Sequence, residues 1–115
     1  MYNFDLLNEE KIIYIAKEVY LKKEGTPHLI TVVVTNERII FLDYPDKNFN
    51  YEEDLRIARG MDYLKQKEEI YSNYLLNIET IIEEKEYNKY VLKDSNFFYL
   101  FDKENKIKDY IKECK

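Results

Sequence analysis

Chemistry needs particular side chains at particular spacings, and this 115-residue chain supplies few of them. His28 is its single histidine and follows Pro27 at the head of an apolar run, HLITVVVT. A catalytic histidine needs a nucleophile or an orienting carboxylate, and a metal site needs further ligands. Neither is marked nearby, so a turn residue is the plainer reading. Arg38 follows a turn at Asn36-Glu37. It could meet an anion or a partner; the simpler role is pairing with a carboxylate or covering apolar surface with its stem. The acid runs Glu52-Glu53-Asp54 and Glu83-Glu84-Lys85-Glu86 lack the alternating loop of a calcium site. As catalytic pairs they would need burial and separated pKa values, so solvated positions are expected instead. Cys114 is the lone cysteine, which leaves no disulfide within the chain and no thiolate metal site. No Gly-rich phosphate loop, GxSxG elbow or zinc spacing occurs. The expectation is no enzyme, no catalytic residue, no metal and no cofactor.

The elements around these residues are easier to read. Lys11 to Lys22, KIIYIAKEVYLK, is β-branched and aromatic and reads as a long strand. Gly25 and Pro27 break it. His28 to Tyr44 then reads as a hairpin, with Asn36-Glu37 as a two-residue loop of type I′. That register puts Ile30, Val32, Val34, Ile39 and Phe41 on one wholly apolar face. Val33, Ile40 and Leu42 lie on the other, among polar neighbours. Residues 46–67 change character: Ile57, Met61 and Leu64 fall on one helical stripe, which predicts a helix within an insertion. Strand signals return from Glu69, with a bend at Asn77 and turns near Asn88 and at Asp94-Ser95-Asn96. The tail, about 102–114, reads as a helix capped by Asp102, with Ile107, Tyr110, Ile111 and Cys114 on one side. Near that helix end the negative pole of the dipole would raise the Cys114 thiol pKa and dull its reactivity. Antiparallel strands closed by one amphipathic helix argue an α+β, mainly β, single domain over 1–115.

The order of pieces resembles the bacterial PH-like domains of the PH and GRAM superfold. The matching stretches are Leu6-Leu7-Asn8-Glu9-Glu10-Lys11-Ile12-Ile13-Tyr14, then Thr35-Asn36-Glu37-Arg38-Ile39-Ile40-Phe41. Ile78 to Ile82, Phe97 to Phe101 and the helix around Ile107 to Ile111 follow. The resemblance implies a partly open antiparallel barrel of about seven strands, capped by the C-terminal helix, with the helical insertion after strand three. Domains of this superfold that bind inositol phosphates gather cations at the first hairpin. Here the candidates are Lys22, Lys23 and His28, with Arg38 as a further ligand-binding candidate. Glu24 sits among them, and LITVVVT carries no base, where fixed Arg forks would serve phosphate best.

Net charge and apolar surface decide between partner classes. A net charge of −5 opposes a polyphosphate, which needs a cationic footprint, so no nucleic acid is expected. It also makes membrane contact a lesser alternative. The lone cysteine, the absence of a leader pattern and the lack of a bilayer-length apolar run suggest a cytoplasmic protein. Val33, Ile40 and Leu42 form more apolar surface than a strand face can leave wet. Either Ile57, Met61 and Leu64 cover them or another chain does. The resulting expectation is a non-enzymatic module acting through protein contacts or self-association. The alternative is a lipid or small-anion ligand at the open barrel end. The tyrosines, twelve in all, are read as codon bias.

Overall fold

The computed structural model describes residues 6–23, 25–43 and 68–114. The stretch about 46–67, with Ile57, Met61, Leu64 and its expected helix, lies outside the described residues, as do Glu52-Glu53-Asp54. Seven antiparallel strands form a half-barrel: β1 Ile12–Lys22, β2 His28–Thr35, β3 Arg38–Asp43, β4 Glu68–Tyr74, β5 Ile78–Glu83, β6 Asn88–Leu92 and β7 Phe97–Asp102. Helix α1, Ile107–Cys114, follows. The strand order is β4-β3-β2-β1-β7-β6-β5 in one sheet.

β1 belongs to both halves. It pairs with β2 along most of its length and with β7 over Val19–Lys22. A register shift between Ala16 and Val19 marks where it turns from one half to the other. An extra residue there increases local twist and bends the strand, which curls the sheet. Between β4 and β5 a single 3₁₀ turn, Leu75–Asn77, makes the corner, at the bend expected from Asn77.

The hairpin register matches the alternation of its sequence. Val34 faces Ile39, Val33 faces Ile40 and Val32 faces Phe41. Its turn differs from expectation. Asn36 and Glu37 are not among the residues with positive φ, so a type I′ turn is not formed. Instead the Thr35 hydroxyl accepts from the Glu37 N–H at 3.1 Å and the Arg38 N–H at 2.8 Å. A side-chain acceptor of this kind closes a turn without left-handed angles.

The main core lies inside the curl. Ile30, Val32, Val34, Ile39 and Phe41 join Val19, Ile78, Tyr90, Phe98 and Leu100 there. Phe41 meets Phe98 edge-on at 5.1 Å, and Phe98 stacks on Tyr90 at 5.2 Å. Each such ring contributes about 1.5–3 kcal/mol by leaving water. α1 closes one end with Ile107 and Ile111, both fully buried, while Tyr110 stacks on Tyr14 at 4.5 Å. The helix starts later than expected because Asp102 ends β7 and Asn105 takes a left-handed turn at φ 56°. Asp102 still serves that end: its Oδ2 accepts from the N–H groups of Lys106 at 2.7 Å and Ile107 at 3.1 Å. The turn expected near Asn88 lies just before it, closed by Glu84 N–H donating to Tyr87 O at 3.1 Å, and Asn88 is the buried first residue of β6.

A second, smaller cluster lies on the other side of the hairpin. Val33, Ile40 and Leu42 have no exposed surface, and among the described residues Leu6, Ile12 and Ile15 pack against them.

Candidate functional site

Lys22, Lys23 and His28 share the β1–β2 end, where Leu21 pairs with His28, but Arg38 does not join them. Arg38 sits at the β2–β3 turn, whereas His28 opens β2 at its far end, about 24 Å away along an extended strand. Arg38 is engaged. Its Nε donates to Glu10 Oε2 at 2.9 Å and its Nη2 to Glu10 Oε1 at 2.8 Å. The Glu10 side chain is 0% exposed and also accepts from the Thr35 hydroxyl at 2.6 Å and the Leu7 N–H at 2.8 Å. Burial alone would raise the Glu10 pKa. The hydrogen bonds from Arg38, Thr35 and Leu7, with the Arg38 charge, outweigh it and hold the carboxyl at about 2. Glu10 in turn raises the Arg38 pKa. Asn36 adds a second tie to the same lead-in: Lys11 N–H donates to Asn36 Oδ1 at 2.7 Å, and Asn36 N–H donates to Lys11 O at 3.1 Å. These bonds fasten Leu6 and Ile12 over the small hairpin cluster. A guanidinium so occupied is a clasp within the chain.

Lys22 and Lys23 are held by different rings. The Lys23 ammonium lies 5.1 Å from the centre of the Tyr71 ring on β4, and Tyr71 packs against Phe41 and Phe98. The Lys22 ammonium lies 5.9 Å from the Tyr87 ring. A groove of about 390 Å³ opens there, lined by Lys22, Lys85, Glu84, Glu86, Tyr87 and Tyr99. Lys23 and His28 are not in its lining. Its two lysines are matched by two glutamates, so it exerts little net pull on an anion.

The larger feature is the outer face of β1, β7 and β6, which sequence reasoning missed. β7 alternates cleanly: Phe98, Leu100 and Asp102 are buried, while Phe97, Tyr99 and Phe101 turn outward. Strand pairing arranges the outward side chains in rows across the sheet. One row holds Tyr20 beside Phe101, with Tyr87 next to it, at ring distances of 6.4 and 5.9 Å. The next holds Lys22, Tyr99 and Lys89, on three adjacent strands. Ile82 of β5 extends that row beyond Lys89. The third holds Phe97 beside Val91. Tyr20 is 44% exposed, Phe97 40% and Phe101 38%. The signal was available in FFYLFD, which is apolar at nearly every position. A strand with one solvated face should alternate apolar with polar residues.

Among the described residues no group of three or more His, Cys, Asp or Glu is placed to hold a metal ion. Cys114 is half-buried, and burial with the neighbouring Glu113 charge pushes its thiol pKa up, away from reactivity. Glu83 meets Lys108 of α1 in an ion pair, while Glu84, Lys85 and Glu86 are exposed. No described helix is long and apolar enough to cross a membrane. Compared with known proteins, the chain matches no family model and no curated sequence.

Proposed function

We propose that the chain is a non-enzymatic, PH-like interaction module whose contact surface is the outer face of β1, β7 and β6. The observation that carries this reading is the partly exposed run of neighbouring rings from Tyr20 through Phe101, Tyr87 and Tyr99 to Phe97. Aromatic residues are enriched where proteins meet, because a large rigid ring buries much area at little entropic cost. A PH-like identity is supported by the strand order, the curled half-barrel and the helix at one end, all of which fit the outline that the lead-in and hairpin motifs suggest. The place for protein contact differs from the one expected on Val33, Ile40 and Leu42, whose surface is already dry. A reducing, cytoplasmic setting suits the single half-buried thiol.

The lipid or small-anion alternative has less behind it. The groove beside Lys22 carries as many carboxylates as ammonium groups, and Lys23 and His28 stand apart from it.

A photo-crosslinking amino acid placed at Tyr20 or Phe101, in the cell that makes the protein, tests the proposal. Protein adducts are expected at both positions and not at exposed Lys11, which lies beside the β2–β3 turn. Equal labelling at Lys11, or adducts with lipid alone, would overturn it.

A further inference from the structure

The three rows on the outer face differ in character, and their order specifies what they can hold. Aromatic side chains form the first, Lys22-Tyr99-Lys89 the second and Phe97-Val91 the third. Successive rows are about 7 Å apart along the strands, and the two lysines are about 10 Å apart across β7. None of these outward positions carries a carboxylate. Among the described residues neither Lys22 nor Lys89 forms an ion pair. Each ammonium instead rests on a ring: Lys22 over Tyr87, and Lys89 at 4.3 Å over Phe97 and 5.8 Å over Tyr99. Cation–π contact fixes the amine against apolar surface and strips part of its water, while leaving its charge without a counter-ion.

Resting on the interaction-module reading, we propose that this face docks an extended acidic segment of a partner protein, with a carboxylate between apolar side chains. The carboxylate meets the Lys22-Tyr99-Lys89 row, and the flanking apolar side chains lie on the aromatic row and on Phe97-Val91. The carboxylate is directed to the Lys89 end, because Lys22 borders the groove that holds Glu84 and Glu86. Single-stranded nucleic acid fits the face less well. Bases need open ring faces for stacking, and the lysines already lie over those of Tyr87 and Phe97. A net charge of −5 also opposes a strand with a phosphate at every nucleotide far more than a segment with one or two carboxylates.

The test is an amide chemical-shift titration of the whole protein with a short synthetic peptide of repeated Leu-Glu-Phe units. Parallel titrations use the Leu-Lys-Phe counterpart, oligo(dT) and phosphatidylserine vesicles. Shifts confined to β1, β7 and β6 with the glutamate peptide are expected, weakening with salt. Lys89→Gln should lower that affinity about tenfold, a loss typical of one charge-assisted contact. Lys22→Gln should lower it less, and circular dichroism confirms that both variants stay folded. Equal binding of the lysine peptide, shifts elsewhere on the barrel, or preferential binding of oligo(dT) or vesicles would overturn the proposal. Protein adducts at Tyr20 and Phe101 without binding of the glutamate peptide would sink the acidic partner alone. Absence of both would sink the interaction module as well.

Discussion

Two strand faces of this protein carry apolar side chains where water might be expected, and they end differently. On the outside of the β2–β3 hairpin, Val33, Ile40 and Leu42 are aliphatic and wholly buried, with Leu6, Ile12 and Ile15 against them. On the outside of β7, Phe97, Tyr99 and Phe101 are aromatic, partly exposed and edged by lysines. The chemistry of the residues tells the two apart. Branched aliphatic side chains offer nothing to water and have to be covered by the chain itself. Tyrosine and lysine tolerate water and can wait for a partner. An apolar second face is therefore not one signal but two, and the aromatic and cationic content decides which.

The sharpest way to break this contrast is to release the cover of the hairpin. Glu10→Ala removes the bidentate carboxylate from an Arg38 side chain that is only 12% exposed, leaving Glu69 Oε1 at 4.0 Å from its Nη1. A loss of about 3–5 kcal/mol is expected from denaturant unfolding, as for other buried pairs cut on one side. Ile40→Ala empties space inside the same cluster and should cost about 2–5 kcal/mol by the same measurement.

Acid attacks the clasp without mutation. The Glu10 carboxyl falls from an ordinary 4.5 to about 2 in the folded chain. A depressed carboxylate pKa adds stability that is complete above about 4.5 and disappears as pH falls towards 2. The contribution is about 3 kcal/mol. Urea melts between pH 5 and pH 2 should show it, and Glu10→Gln should flatten that part of the profile.

The smallest effect belongs to the other face. Phe101→Ser should cost only about 1 kcal/mol, since the ring is 38% exposed and so is only partly withdrawn from water. A thermal melt checks this, and a drop as large as that of Ile40→Ala would erase the distinction between the faces.

Much of the sheet was legible from residues alone. β1, the hairpin and its register follow from β-branched alternation and from Gly25-Thr26-Pro27 breaking the chain. The bend at Asn77 and the inward stripe of α1 follow from periodicity. The late helix start was hidden because Asp102 bonds to amides four and five residues on, across a left-handed Asn105, and a local cap motif does not describe that. The clasp was hidden for a similar reason. Glu10 and Arg38 are 28 residues apart, and only the pairing of β1 with β2 brings the lead-in to the turn. The rows on β7 were hidden because Lys22 joins Tyr99 and Lys89 only when β1 pairs with the β6–β7 hairpin, far along the chain.

Because β1 bridges both halves, the order of synthesis matters for folding. Val19 to Lys22 find their β7 partners, Asp102 to Tyr99, only after about 80 further residues have been made. At ordinary elongation rates the outer edge of β1 waits roughly 4–16 s for them. During that interval the nascent hairpin half presents an open strand edge, the kind of template on which misassembly begins. Closure by β7 is thus a step in which chaperones have a window to act, and in which β7 supplies the partner that β1 has been waiting for.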